Sequence, residues 1–149
     1  MNTISYTMKP IENTGENGAA KITLEKVINP LVKSILPLAV RNKSFIINEV
    51  SSQLSIAGDV SALASVINGL LYSVIINAKE TCIRISAKML YGNTAVISVK
   101  DGNSFNTFGV ACGLQDVVPL AQKMGGDINI SSERQRITTI AFKFPVSKA

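Results

Sequence analysis

Apolar residues return at helical spacing between Ile22 and Val40, at Leu24, Val27, Ile28, Leu31, Val32, Ile35 and Leu36. This period predicts a helix with one buried face. Thr23 is a weak cap for it. Pro30 lies inside the pattern and predicts a kink or restart, because proline takes a hydrogen bond out of the ladder. Pro37 predicts fraying near the end. The next run, Lys43 to Val50 (KSFIINEV), is rich in β-formers and reads as a strand. A second helix is predicted over Val60 to Asn77, with Asp59 placed to cap it. Leu63, Val66, Ile67, Leu70, Leu71, Val74 and Ile75 cover more than half of its circumference, which predicts deep burial.

Two alternating segments follow, Thr81 to Met89 and Thr94 to Asp101, joined through Tyr91-Gly92-Asn93 as a hairpin turn. A polar loop then runs from Gly102. Gly113 to Met124 reads as a helix interrupted by Pro119 and ended by Gly125-Gly126, as a left-handed glycine would end it. Asp127 to Ser132 and Ile137 to Phe144 read as two last strands. The pattern predicts an α+β fold: a two-layer sandwich with a mixed, mostly antiparallel sheet of about five strands. Three helices cover one face of the sheet.

Residues 1–21 are polar and rich in Asn and Gly after a short apolar opening, and read as a tail or linker before a folded unit over 22–149. There is no run of eighteen apolar residues to span a membrane, and no basic-then-apolar export signal at the start. A cytoplasmic setting follows as the expectation. Cys82 and Cys112 are far apart, form no metal or disulfide pattern, and read as small buried or half-buried thiols. Lys and Arg outnumber Asp and Glu by 15 to 10, but the excess is scattered, so no nucleic-acid partner is expected. The chain has no histidine at all. This excludes histidine-dependent triads, histidine-ligated metals and a phosphohistidine within the chain.

Several joints of this pattern share one further likeness. Gly58-Asp59 precedes the leucine-rich second helix. Val99-Lys100-Asp101 ends a strand in an aspartate. Gly113-Leu114 opens the third helix. Lys123-Met124-Gly125-Gly126-Asp127-Ile128, followed by Ser131-Ser132, leads into Thr138 to Pro145. In this order and spacing, over about 120 residues, the segments resemble the ATP-binding domain shared by sensor histidine kinases, gyrase, Hsp90 and MutL, most closely its histidine-kinase form. The resemblance implies a domain of a two-component sensor or signalling protein, with ATP or ADP and Mg²⁺ as cofactors. It also implies a protein partner: a dimerisation and phosphoacceptor domain outside this chain, or a second copy in a homodimer.

The same resemblance assigns the cofactor-binding positions. Asp101 with Gly102 stands where the family's aspartate accepts the adenine amino hydrogen, and Thr138 where a threonine lies behind the base. Gly113 belongs to the second glycine box. Gly69 and Ser73 fall at the two positions of the helix asparagine box, whose asparagine holds Mg²⁺. Ser73 offers a hydroxyl and Gly69 nothing. Asn77, about 40° round the helix, is a partial substitute, so Ser73 and Asn77 are the candidate Mg²⁺ ligands. No catalytic residue is assigned. The glycine boxes depart from the pattern: both later glycines of Asp-x-Gly-x-Gly are replaced after Gly102, and only Gly109 and Gly113 remain in the second box. The lid between the boxes is short or missing, and Phe105 and Phe108 are expected to fold inward into the pocket. On the residues alone, Asp101 is either an adenine acceptor or a capping aspartate. Thr138 is either a binding residue or a strand former. The expected function is a binding or regulatory module with ATP binding and phosphotransfer weak or lost. The alternative is an active sensor-kinase domain or a stand-alone serine kinase of the anti-sigma type.

Overall fold

In the computed structural model, which describes residues 21–91, 93–104 and 106–146, the chain runs through eleven elements. In order they are β1 (Lys21–Thr23), α1 (Leu24–Arg41), β2 (Phe45–Asn48), β3 (Ser55–Ala57), α2 (Val60–Ile76), β4 (Cys82–Leu90) and β5 (Thr94–Asp101). Then come α3 (Thr107–Gly113), α4 (Val118–Lys123), β6 (Asp127–Glu133) and β7 (Ile137–Pro145). Five strands form one sheet in the order β2-β4-β5-β7-β6, and β1 pairs with β3 in a separate two-stranded sheet. Only β2 and β4 run parallel; the other pairs of the main sheet are antiparallel. The mixed two-layer sandwich predicted from the sequence is therefore the architecture. No helix of the described residues is long and apolar enough to cross a membrane.

Strand alternation decides which residues face the helices. Ile83 and Ile85 of β4, Ile97 and Val99 of β5, and Ile140 and Phe142 of β7 are fully buried. They meet Ile28 of α1 and Leu63, Ile67, Leu70 and Leu71 of α2 in a single core. Each such side chain contributes about 1.5–3 kcal/mol by leaving water. The other face of the sheet carries Arg84, Lys88, Lys100 and Lys143 and is open to solvent.

α2 contains no charged residue and is capped by Asp59, whose carboxylate accepts a hydrogen bond from the Ala62 amide at 3.0 Å. Gly125 takes φ +77° after α4, the left-handed conformation expected of it. Thr23 stands at the N-cap of α1 without a side-chain bond. α1 runs through both Pro30 and Pro37. Both prolines are exposed and seven residues apart, so the carbonyls freed at Lys26 and Lys33 open to water on one side.

The sequence pattern and the structure differ in four places. The strands β1 and β3 are too short to show a period. The helix expected over Gly113 to Met124 is only the shorter α4, Val118–Lys123, and a further helix, α3, forms upstream of it from what reads as a polar loop. Cys112 is exposed rather than half-buried. Phe108 points outward, 80% exposed, and does not fill a pocket. Phe105, Gly92 of the hairpin turn and the tail up to residue 20 lie outside the described residues.

Candidate functional site

α3 is the hinge of the site, and Asn106 starts it. The Asn106 side-chain oxygen accepts from the Gly109 amide at 2.9 Å, a helix cap. Its amide nitrogen donates to Asn77 Oδ1, also at 2.9 Å. The capping side chain thus ties α3 to the end of α2. Asn77 in turn donates from Nδ2 to the Ser73 carbonyl at 2.8 Å. One turn back on α2, Ser73 is buried and donates its hydroxyl to the Val110 carbonyl of α3 at 2.8 Å. On the sheet side, Thr107 Oγ1 and Thr138 Oγ1 lie 2.6 Å apart.

Glycine lets these helices touch. A Cβ on Gly113 would lie 2.5 Å from Ser73 Oγ, and one on Gly69 would lie 2.5 Å from Val117 Cγ2. Both are closer than real contacts allow, so a side chain there must displace Ser73 or Val117. Gly69 has a packing role in the place where the resemblance puts an asparagine. Gly102 has no such constraint; an added Cβ would meet only the Cys82 carbonyl, at 3.7 Å.

Asp101 ends β5 opposite Thr138 of β7. It is fully buried. Its Oδ1 accepts from Thr81 Oγ1 at 2.6 Å and from the Asn103 amide at 2.9 Å. The second bond is the local turn-capping arrangement of a short polar side chain. Oδ2 has no hydrogen-bond partner among the described residues, and neither does the buried hydroxyl of Ser104. Ser104 is held nearby by its amide, which donates to the Arg136 carbonyl. Buried polar atoms without partners are rare and costly, about 1–3 kcal/mol each.

Four of the residues picked out by sequence, Ser73, Asn77, Gly113 and Thr138, therefore converge on α3, and Asp101 with Gly102 sits beside Thr138. Thr81, Ser104, Asn106, Thr107 and Val110 were not picked out. Their roles are contacts across 20 to 37 residues of chain, which no local pattern encodes. A helix-capping Asn106 was the one legible signal.

A nucleotide with Mg²⁺ makes two demands on such a site. Asp101 Oδ2, a buried acceptor without a donor, fits a base amino group. The metal end does not fit. Mg²⁺ needs several hard oxygens held open in octahedral array. Here the Ser73 hydroxyl is turned to Val110, the Asn77 oxygen is bonded to Asn106, and Gly113 packs directly on Ser73. No group of three His, Cys, Asp or Glu able to hold a metal occurs among the described residues.

No protein-family model matches the chain, and no curated protein is significantly similar to it. Its fold matches solved structures closely. Acinetobacter baumannii histidine kinase AdeS superposes with TM-score 0.73 at 14% identity, over 87% of this chain and 68% of that one. Full-length ShkA in complex with AMPPNP gives 0.74 at 20% identity, over 88% of this chain, which spans only 32% of that protein. Histidine kinase ThkA in complex with the response regulator protein TrrA gives 0.68 at 16% identity, over 87% of this chain and 42% of that one. The chain has the histidine-kinase-like ATPase fold.

Proposed function

We propose that this chain is a histidine-kinase-like domain of a two-component signalling protein that works as a binding or regulatory module, with phosphotransfer lost. One observation carries the reading. The α2 face assigned to Mg²⁺ and phosphates is covered by the chain's own α3, fastened through Ser73–Val110 and seated by Gly113. Phosphoryl transfer depends on positioning and on charge stabilisation by the metal, and the side chains that would serve it are engaged, Ser73 with the Val110 carbonyl and Asn77 with Asn106. The chain's lack of histidine adds that a phosphoacceptor histidine would belong to another domain or protein. ThkA was solved with a response regulator, and a signalling protein of that kind is the partner class this reading favours.

The test is thermal denaturation of the full chain with ATP or ADP at millimolar concentration, with and without Mg²⁺. A ligand at a hundred times its Kd adds about 2.7 kcal/mol. The expected result is no Mg²⁺-dependent rise in Tm. A Mg²⁺-dependent rise together with ATP hydrolysis or autokinase activity on an added phosphoacceptor domain would overturn the proposal in favour of an active kinase domain. A rise that ignores Mg²⁺ and disappears in Asp101→Asn would assign base recognition to Asp101 and leave the loss of phosphotransfer standing.

A further inference from the structure

The open face of the sheet has an ordered charge pattern that neither the fold nor the nucleotide site requires. Cross-strand register places its residues in three rows. Arg84 of β4 pairs with Lys100 of β5, which pairs with Thr139 of β7. The middle row is Ser86, Ser98 and Ala141, continued by Asn129 of β6. The third row is Lys88, Val96 and Lys143, continued by Asp127. Side chains two apart on a strand share a face, so all three rows point to the same side. All four cations are exposed, and the middle row is half-buried on the three central strands.

The result is a floor of small side chains between two basic walls. The outer rows are four residues apart along each strand, about 13–14 Å. An α-helix with its side chains is about 10–12 Å across. On this face the three central strands carry four cations and no carboxylate. The acids stand at the edges: Glu49 pairs with Arg84 at 2.7 Å, and Asp127 neighbours Lys143 in register. Lys100, Lys88 and Lys143 have no ion-pair partner among the described residues. Like charges directly opposite, as at Arg84 and Lys100, destabilise a sheet, so this arrangement lowers the stability of the isolated chain.

We propose that this face docks an acidic helix of a partner protein. The helix lies in the trough over Ser86, Ser98 and Ala141. Its small or apolar stripe faces the floor, and carboxylates on its two flanks meet Arg84 and Lys100 on one side and Lys88 and Lys143 on the other. A helix is favoured over nucleic acid because the floor offers no aromatic ring on which a base would stack. The surface is on the opposite side of the sheet from α2 and α3, so docking is independent of nucleotide.

The probe is an alanine-based helical peptide with glutamates along two flanks and alanines between them, titrated into the full chain. Fluorescence anisotropy of the labelled peptide gives the Kd, and amide NMR maps the contact. The expected result is saturable binding that weakens as salt rises and shifts centred on Ser86, Ser98 and Ala141. Reversing Lys88, Lys100 and Lys143 to Glu together should weaken binding at least tenfold, and Ser98→Tyr should block the floor without touching charge. Lys26→Glu with Lys33→Glu on α1 should change Kd less than twofold. Shifts that fall elsewhere, or equal affinity in the triple reversal, would overturn the proposal. So would a single-stranded oligonucleotide that binds more tightly than the peptide at the same salt. The wild-type NMR map decides the matter even if a variant fails to fold.

Discussion

The end of β5 and the seam between α2 and α3 lie side by side and are finished in opposite ways. In the seam every named side chain is satisfied: Ser73 by Val110, Asn77 by Asn106, Thr107 by Thr138, with Gly69 and Gly113 in place of obstructing side chains. At the end of β5, Asp101 Oδ2 and Ser104 Oγ are buried with no partner among the described residues. The seam is built as packing, in which satisfied polar groups hold a unique arrangement. The β5 end keeps a polar group whose local bonds account for only one of its oxygens. On the proposed reading, the packed seam is the metal end and the unpartnered carboxylate oxygen the base end of one site.

The contrast breaks most sharply at Gly113. Gly113→Leu should force α3 off Ser73 and cost about 2–3 kcal/mol, in line with overpacked cores, read as a lower midpoint in urea with an unchanged slope. If that variant is as stable as the parent, the seam is not packed as described. Ser73→Ala removes a buried bond and leaves the Val110 carbonyl unpaired, and should cost about 1–2 kcal/mol. Asn77→Ala removes the tie to Asn106 and the bond to the Ser73 carbonyl, both less buried than the Ser73–Val110 bond, and should cost less, about 0.5–1 kcal/mol. Amide hydrogen exchange should quicken in α3 for Ser73→Ala and Asn77→Ala, while the central strands stay protected. Asp101→Asn should have the smallest effect, under about 1 kcal/mol. It keeps the acceptor for Thr81 and Asn103 and exchanges an unpartnered buried oxygen for an amide nitrogen of the same size. A loss above 3 kcal/mol there would mean that Asp101 belongs to a fully paired network.

The fold was legible because it rests on periodicity. The uncharged stripe of α2, the alternation in β4, β5 and β7, and Asp59 and Gly125 at helix ends are local signals that tertiary structure did not override. α3 was not legible. Thr107–Gly113 (TFGVACG) contains two glycines and three β-branched or aromatic residues, all poor helix formers. Its helicity comes from the Asn106 cap and from docking on Ser73, a partner 37 residues away. For the same reason Phe108 reads as a pocket filler in the sequence and lies outside in the structure, since the helix turns it away from the sheet. The six candidate site residues were drawn from a resemblance, and the structure brings them together. Their hydrogen-bond partners, Val110, Asn106, Thr81 and Thr107, are information that spacing does not hold.

Lys21 pairs with Ala57, and Ala57 lines the same groove as Pro145. Among the described residues, β1 and the end of β7 therefore border one groove. A body with adjacent entry and exit tolerates being re-threaded. A short linker could join the two points, and new ends could be cut at the exposed turn of Arg134 and Gln135, where both residues take left-handed backbone at φ 55°. The circular permutant should keep the sheet order. It would also allow this unit to be spliced into a surface loop of a host protein without stretching the host.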